Sequence, residues 1–270
     1  MKETLNDKIL NRDNFNGFNI APISKKIIDQ ISSVYIPLFE SHPWHEEFEC
    51  SCGAGPFYGR CEESTNSGEC SELDSKYLID FKQKDQKCPN CEEELTETIS
   101  QIFTPESVKQ DFYKALKSKG FKGFAATKFN KVISFFSGHN FLLDHPEKTG
   151  SVWYKETGDL LKEKGVNPEN CFYHEESGTL ERYSGKDLGT FLLTKTLLTV
   201  LNDNSIDKVA FRTINPAIVR CYEKAFELDR DSLKPLFKDP NPDKRQEWYS
   251  LCLHRLLSIN EPAPYELGIH

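Results

Sequence analysis

Short apolar runs and helical patterns alternate along the C-terminal half of the chain. Residues 171–174 and Ile206–Phe211 have the composition of buried strands, and Trp248–Leu253 has alternating character. Leu188–Leu201 is a long apolar helical segment, and Pro216–Phe226 is a second helix. This order of strand, helix, strand, helix and strand predicts an α/β (α+β) fold, in which helices cover the faces of a mixed sheet.

The residues before these elements add to the same predicted fold. Two apolar runs, 121–127 and 132–138, flank a short polar segment and predict an antiparallel hairpin. Thr104-Pro105-Glu106 is a typical helix start, with a cap, a proline at the first helical position and an acid in the first turn. Ser24 caps another predicted helix. With 270 residues, 37% of them hydrophobic, the chain is long enough for one large domain with a core.

Six of the nine cysteines lie between Cys50 and Cys91. They belong to a polar, glycine-rich segment, residues 48–96, which we predict to be an insert with its own cross-link. Two close pairs stand out, Cys50 with Cys52 and Cys88 with Cys91. Four thiolates in two such pairs suit a tetrahedral zinc site, and a site filled by four protein ligands is structural because it leaves no position for a substrate.

The cysteine pattern leaves alternatives open. Cys50-Ser51-Cys52 is tighter than the usual two-residue spacing. Cys61 or Cys70 could therefore replace Cys50 or Cys52, or both could complete another arrangement with His42 or His45. Free or redox-active thiols and disulfides are the other interpretations. The set Cys50, Cys52, Cys88 and Cys91 is the predicted ligand set.

Charge and hydropathy exclude several kinds of partner. The net charge is −8, from 42 acidic and 34 basic residues, and the chain has no long basic run. Nucleic acid is therefore an unlikely partner. No apolar run approaches the roughly 20 residues of a membrane span, so we predict no membrane association. The N-terminus lacks the apolar core of a signal peptide, and a cytoplasmic protein is the expectation.

A glycine-containing turn precedes the long apolar helix. The segment Ser184–Thr190 reads Ser-Gly-Lys-Asp-Leu-Gly-Thr. Glycines let backbone N–H groups approach an anion, and a helix N-terminus adds unpaired donors and a favourable dipole. The segment therefore predicts a pyrophosphate site. The alternative is an ordinary helix start that Asp187 caps.

The following strand and helix add a third signal. Asn215 can cap the helix that starts at Pro216, and Tyr222 lies two turns into it, on the face shared with Ile218. The alternative interpretation is that Tyr222 is an aromatic residue of the core.

Together these segments resemble the GCN5-related N-acetyltransferase (GNAT) superfamily. The resemblance rests on the strand-turn-helix stretch Phe172–Leu193, on the Asn215 to Tyr222 helix and on the final strand. Leu38–Glu46 also looks like that family's first helical region and a following Pro-Trp turn. The resemblance covers most of the chain outside the cysteine segment. It implies one domain over residues 1–270, with a mixed, mostly antiparallel central sheet flanked by helices, and the zinc-binding insert at 48–96.

The resemblance also implies an acetyl-CoA site. The phosphate loop falls on Ser184–Thr190, that is Ser184, Gly185, Lys186, Asp187, Leu188, Gly189 and Thr190. The strand that pairs with the pantetheine and holds the thioester falls on Glu176–Leu180, which includes Gly178, Thr179 and Leu180. The resemblance implies that Asn215 contacts the cofactor arm and that Tyr222 protonates the leaving thiolate. That role suits a phenol, because it is a neutral donor at working pH.

An acceptor amine must lose a proton before or during attack. Alternation along the strand after Phe172 predicts His174 and Glu176 on one face and Glu175 on the other. Glu176 matches the position of an acid in similar proteins and is the predicted general base, with His174 as second choice. The acceptor, a small molecule or a protein, carries no portable motif, and the oligomeric state is open.

Two residues depart from the family pattern. The family prefers Arg or Gln where Ser184 stands, and Gly or Ala where Asp187 stands. A carboxylate at Asp187 would repel a pyrophosphate, and its side chain could occupy the donors that the ligand needs. The predicted function is an N-acetyltransferase acting on an amine. The alternative is a catalytically degenerate GNAT-like binding protein with a structural zinc module.

Overall fold

The structure is a computed structural model, and its elements alternate as the sequence predicts. It describes residues 5–39, 47–49, 51–52, 57–60, 78–80, 87–88, 91–93, 96–97, 104–141, 152–202, 206–213, 215–240 and 247–257. The predicted Pro-Trp turn at Pro43-Trp44, and Cys50, Cys61 and Cys70, lie outside these residues.

The helices are α1 (Leu5–Leu10), α2 (Lys25–Phe39), α3 (Pro105–Ala115), α4 (Val152–Glu163), α5 (Leu188–Leu201), α6 (Pro216–Ala225) and α7 (His254–Leu257). The strands are β1 (Asn14–Phe15), β2 (Phe18–Pro22), β3 (Glu47–Glu49), β4 (Phe57–Arg60), β5 (Leu78–Asp80), β6 (Thr96–Glu97), β7 (Lys122–Lys128), β8 (Lys131–Asn140), β9 (Cys171–Thr179), β10 (Lys208–Thr213), β11 (Phe237–Lys238) and β12 (Glu247–Cys252).

The chain divides into two compact units. One contains Met1–Ile31 and Phe112–His270, and the other contains Ser32–Asp111. The first unit holds an eight-stranded sheet in the order β1-β2-β7-β8-β9-β10-β12-β11. The second holds a four-stranded sheet in the order β5-β4-β3-β6. The segment predicted as an insert, residues 48–96, falls within the second unit.

The eight-stranded sheet is mixed and mostly antiparallel. Every neighbouring pair in it is antiparallel except β9 with β10, which is parallel. A parallel pair needs a crossover connection, and α5 provides it between these two strands. The predicted mixed, mostly antiparallel sheet with flanking helices is confirmed.

Alternation along the central strands divides the core between the two faces of the sheet. Phe172 and Phe211 lie on one face, in the cluster that includes the leucines of α5. Tyr173 and Trp248 lie on the other face, with Tyr154 of α4. The two faces are therefore covered by different helices, as strands buried on both sides require.

Helix α5 is apolar on most of its circumference and contains one buried cation. Lys195 is 2% exposed, and its Nζ donates to the carbonyl oxygens of Ile9, Leu10 and Arg12 at 3.2, 2.6 and 2.9 Å. These carbonyls end α1 or follow it, so the ammonium satisfies groups that the helix leaves unpaired. No helix among the described residues is long and apolar enough to cross a bilayer.

Candidate functional site

β9 and β10 run side by side for only part of their length. Four parallel pairs join them, from Lys208 opposite Cys171 to Phe211 opposite His174. β9 then continues to Thr179 with β8 as its partner, while the end of β10 pairs with β12. The second edge of β9 after His174 is therefore occupied by no strand among the described residues. Such an edge offers N–H and C=O groups to an extended ligand that contains amides.

The predicted pantetheine strand lies on this edge. At about 3.3 Å per residue, the open edge from His174 to Thr179 is roughly 17 Å long. Thr179 Oγ1 lies 2.7 Å from Ser134 Oγ, and Leu180 N–H donates to the carbonyl oxygen of Ile133 at 2.9 Å. Gly178 pairs with Phe135 of β8. These contacts hold β9 from the β8 side and leave the other edge exposed to a ligand.

A bulge in β9 lies where β10 departs. Ser137 pairs with Glu176 and Gly138 pairs with His174, so Glu175 is an extra residue in β9. Paired residues share a face of the sheet, whereas neighbours along a strand point to opposite faces. His174 and Glu176 therefore point to opposite faces, and the predicted placement of both on one face is wrong. The bulge, which has no clear sequence signal, is the reason.

The loop between β9 and α5 turns through two residues with positive φ. Gly185 has φ 72° and Asp187 has φ 54°. Within the part of the chain that the structure describes, the N–H groups of residues 185–190 donate to no acceptor, and Phe191 N–H makes the first bond back to the loop, to the Asp187 carbonyl at 2.9 Å. The predicted loop, Ser184–Thr190, thus has backbone donors at the positive end of a 14-residue helix, a suitable anion site.

Asp187 occupies the N-cap position of α5 without capping it. Its side chain makes no cap hydrogen bond, and its Oδ1 instead accepts from Lys224 Nζ at 2.6 Å. The expectation that this carboxylate could occupy the loop donors is wrong, because the left-handed backbone turns it toward α6. Its negative charge is paired with a cation. Lys224 was not singled out by sequence reasoning, since no pattern links it to the loop.

The start of α5 packs against the end of β9 and against α6. A Cβ on Gly189 would lie 3.6 Å from both Thr179 Oγ1 and Cys221 Sγ. Leu188 is 1% exposed and Thr190 is 6% exposed, whereas Ser184 and Lys186 are exposed. The loop is therefore anchored by its helical end and open at its first residues.

Tyr222 and His174 meet in the core on the α5 side of the sheet. Tyr222 Oη and His174 Nδ1 lie 3.1 Å apart, and the Tyr222 ring stacks on Phe211 with 3.8 Å between centroids. Burial raises the pKa of Tyr222 well above its usual value and lowers the pKa of His174 to about 3. Both side chains are therefore neutral near neutral pH. The imidazole can accept the phenol proton or, in its other tautomer, donate to the phenol oxygen.

Asn215 caps α6 as predicted. Its Oδ1 accepts from Ala217 N–H at 2.9 Å, and its own N–H donates to Thr213 Oγ1 at 2.9 Å. The predicted contact between Asn215 and a cofactor arm stays a prediction.

His139 and Glu175 form a pair on the opposite face of the sheet, and the sequence analysis did not predict it. His139 of β8 is 1% exposed, and its Nδ1 lies 2.8 Å from the carbonyl oxygen of Asn140. A carbonyl only accepts, so Nδ1 carries the proton and Nε2 faces Glu175 Oε2 at 3.4 Å. The pair depends on the bulge, which turns Glu175 toward His139.

Three cysteines of the second unit form a candidate metal centre. The sulfur atoms of Cys52, Cys88 and Cys91 all lie within 4.8 Å of one another, and those of Cys52 and Cys88 are 3.8 Å apart. A disulfide needs about 2.05 Å. Tetrahedral zinc with Zn–S bonds of about 2.3 Å places its sulfur ligands roughly 3.8 Å apart, so the observed separation suits zinc.

The backbone around Cys88 forms a tight turn that orients the thiols. Glu92 N–H donates to the carbonyl oxygen of Cys88, and Cys88 N–H donates to the carbonyl oxygen of Glu93, both at 2.8 Å. Ser51 Oγ donates to Glu93 Oε2 at 2.9 Å, which links the two cysteine segments. Three of the four predicted ligands are therefore together, and Cys50 lies outside the described residues.

Comparison with known proteins found similarity in structure only. No protein-family model matches the chain, and no curated protein sequence matches it. The solved structures that are similar include PH1933 from Pyrococcus horikoshii OT3, with 13% identity, TM-score 0.44 and coverage of 87% of this chain and 98% of that one. An aminoglycoside acetyltransferase, AAC(6')-Ib, in complex with coenzyme A has 16% identity, TM-score 0.42 and coverage of 58% and 82%.

An acetyltransferase of the GNAT family from Staphylococcus aureus Mu50 is similar to the same extent. It has 11% identity and TM-score 0.41, and the match covers 87% of this chain and 99% of that one.

Proposed function

We propose that the protein is an acetyl-CoA-dependent N-acetyltransferase that acts on an amine by direct attack. The observation that carries the proposal is the combination of an open β9 edge with a loop of unbonded N–H groups at its end. An extended amide-containing arm suits the edge, and a pyrophosphate suits the loop. Coenzyme A contains both groups in this order, and the motif resemblance noted from the sequence points to the same ligand.

The chemistry is a simple acyl transfer. The amine nitrogen attacks the thioester carbonyl, a C–N bond forms, the C–S bond breaks, and the amine loses a proton. In this proposal Tyr222 donates a hydrogen bond to the departing thiolate. Because burial raises its pKa, the phenol acts mainly by stabilising the thiolate, and His174 positions it.

The proton acceptor lies on the other face of the sheet. Glu175 is our preferred base, since the bulge turns its carboxylate toward His139, with Oε2 3.4 Å from Nε2. Glu176, the base predicted from the sequence, points to the same face as Ser137 and is the second choice. His174 is too buried to be the base, and its Nδ1 already contacts Tyr222. Two carboxylates on this face suit a cationic amine acceptor.

Calorimetry with acetyl-CoA tests the proposal. We expect one site with a dissociation constant below about 1 mM. Lys224→Met leaves the Asp187 carboxylate unpaired beside the loop and weakens binding about tenfold, whereas Asp187→Asn in the same chain restores it. Absence of binding to the wild-type protein would exclude the acetyltransferase.

We also propose that Cys52, Cys88 and Cys91, with Cys50 as the fourth ligand, hold a structural Zn²⁺. Thiolates select zinc, and a ligand set of four cysteines leaves no open position for catalysis. We expect one equivalent of zinc in freshly purified protein. Cys88→Ser with Cys91→Ser removes it, while Cys252→Ser, at an exposed cysteine outside the cluster, does not. Less than half an equivalent in the wild-type protein would contradict this proposal and leave the acetyl-CoA site unaffected.

A further inference from the structure

Three cationic side chains surround one aromatic ring at the mouth of the loop. The ring of Tyr183 lies 5.1 Å from Arg182 Cζ, 5.6 Å from Lys186 Nζ and 6.0 Å from Lys128 Nζ. Among the described residues, none of these three cations is ion-paired with a carboxylate. Three unpaired positive charges within reach of one ring repel each other, in a chain whose net charge is −8. A multiply charged anion would relieve that repulsion.

An exposed phenylalanine lies beside this cationic cluster. Phe129 is 86% exposed, and Lys128 Nζ lies 5.7 Å from the centre of its ring. It occupies the tip of the β7–β8 hairpin, where Phe129 and Asn130 have φ 50° and 59°. A bulky residue is unfavourable at positive φ, where Asn and Gly are preferred. Both the exposure of the Phe129 ring to water and its positive φ cost folding free energy. The exposed ring is suited to stacking on a ligand.

We propose that this cluster is a subsite for the nucleotide end of the cofactor, in which Lys128, Arg182 and Lys186 bind a phosphate monoester and Phe129 stacks on the adenine. This inference rests on the proposed function, because it places the 3′-phosphate of acetyl-CoA beyond the pyrophosphate loop. A phosphate monoester carries close to two negative charges at neutral pH and is attracted to grouped cations. Stacking of a base on an exposed aromatic ring is tolerant of sequence and needs no further polar contact.

Acetyl-CoA and acetyl-dephospho-CoA, which lacks only the 3′-phosphate, are the probes. By calorimetry at low salt we expect wild-type protein to prefer acetyl-CoA about tenfold, and the preference to shrink as ionic strength rises. The triple variant Lys128→Gln, Arg182→Gln and Lys186→Gln binds both ligands alike. Lys164→Gln removes an exposed positive charge in the turn after α4, outside this cluster, and keeps the preference.

Phe129→Ala tests the stacking half of the subsite. We expect it to weaken acetyl-CoA and acetyl-dephospho-CoA equally, about fivefold, and to leave acetyl-phosphopantetheine, which lacks the adenosine, unchanged. Equal binding of acetyl-CoA and acetyl-dephospho-CoA by the wild-type protein overturns the phosphate subsite and leaves the acetyltransferase intact. No binding of either ligand overturns the subsite together with the proposed function.

Discussion

The two buried histidines of the central strands have the same side chain in different surroundings. His174 faces Tyr222 on the side of the sheet covered by α5, in a pocket of Phe136 and Phe211. His139 lies on the other side, with the carboxylate of Glu175 at 3.4 Å. An apolar pocket with a neutral partner keeps His174 uncharged, whereas His139 lies against a carboxylate oxygen. One imidazole therefore suits a role in positioning Tyr222, and the other lies against the carboxylate that we propose as the base.

The largest effect is expected at Glu175. Glu175→Gln removes the carboxylate that receives the amine proton and lowers turnover about 300-fold, with little change in acetyl-CoA binding. Release of the coenzyme A thiol in the presence of a panel of amines measures it. Glu176→Gln is the matched control and changes turnover less than about threefold. The reverse result would assign the base to Glu176 and break the comparison between the two histidines.

Tyr222 should have the next largest effect. Tyr222→Phe keeps the ring that stacks on Phe211 and removes the hydroxyl, so turnover falls about 100-fold while the dissociation constant of acetyl-CoA is unchanged. The same thiol-release assay and calorimetry give the two numbers. Tyr249→Phe, another ring stacked on Phe211, is the control. Unchanged turnover in Tyr222→Phe would show that the phenol serves packing only.

The third effect is on stability and tests the neutral state of His174. Burial lowers its pKa from 6.5 to about 3, so the unfolded chain binds a proton between these values and the folded chain does not. Above about pH 6.5, His174 is neutral in both states and the free energy of unfolding is not reduced by its titration. As the pH falls toward about 3, the unfolded chain gains a proton that the folded chain does not bind, so the free energy of unfolding decreases progressively.

Urea unfolding at two pH values measures that contribution. Between about pH 7 and about pH 5, wild-type protein should lose about 2 kcal/mol more stability than His174→Gln. His254→Gln, at an exposed position in α7, should behave as the wild type does. An equal loss in wild type and His174→Gln would mean that His174 is protonated in the folded protein.

The sequence predicted the elements that depend on local chemistry. The start of α3 at Pro105, the cap of α6 by Asn215 and the hairpin of β7 and β8 follow from residues within a few positions of one another. The loop and Tyr222 were also singled out, because glycine spacing and helical periodicity are local signals, and their role in a site stays a prediction. The pairing of β9 with β10 was expected only in general terms, as part of a mixed sheet.

The details of the site depended on contacts between distant residues. Asp187 reaches Lys224 through the packing of α5 against α6, and nothing within the loop itself shows this partner. His139 and Glu175 are separated by 36 positions and meet because β8 and β9 pair with a bulge. A bulge shifts every following side chain to the other face, which is why the strand alternation expected for Glu176 failed.

The amino-acid sequence by itself determined the helices around 188–201 and 216–225, the hairpin of β7 and β8 and the order of the C-terminal elements, since these depend on backbone preferences and apolar spacing over short distances. Only the tertiary structure decided which way each polar side chain points: Asp187 toward Lys224, His174 toward Tyr222 and Glu175 toward His139. The physical reason is that a side chain's protonation and orientation follow from its burial and its neighbours in space, and strand pairing and helix packing choose those neighbours.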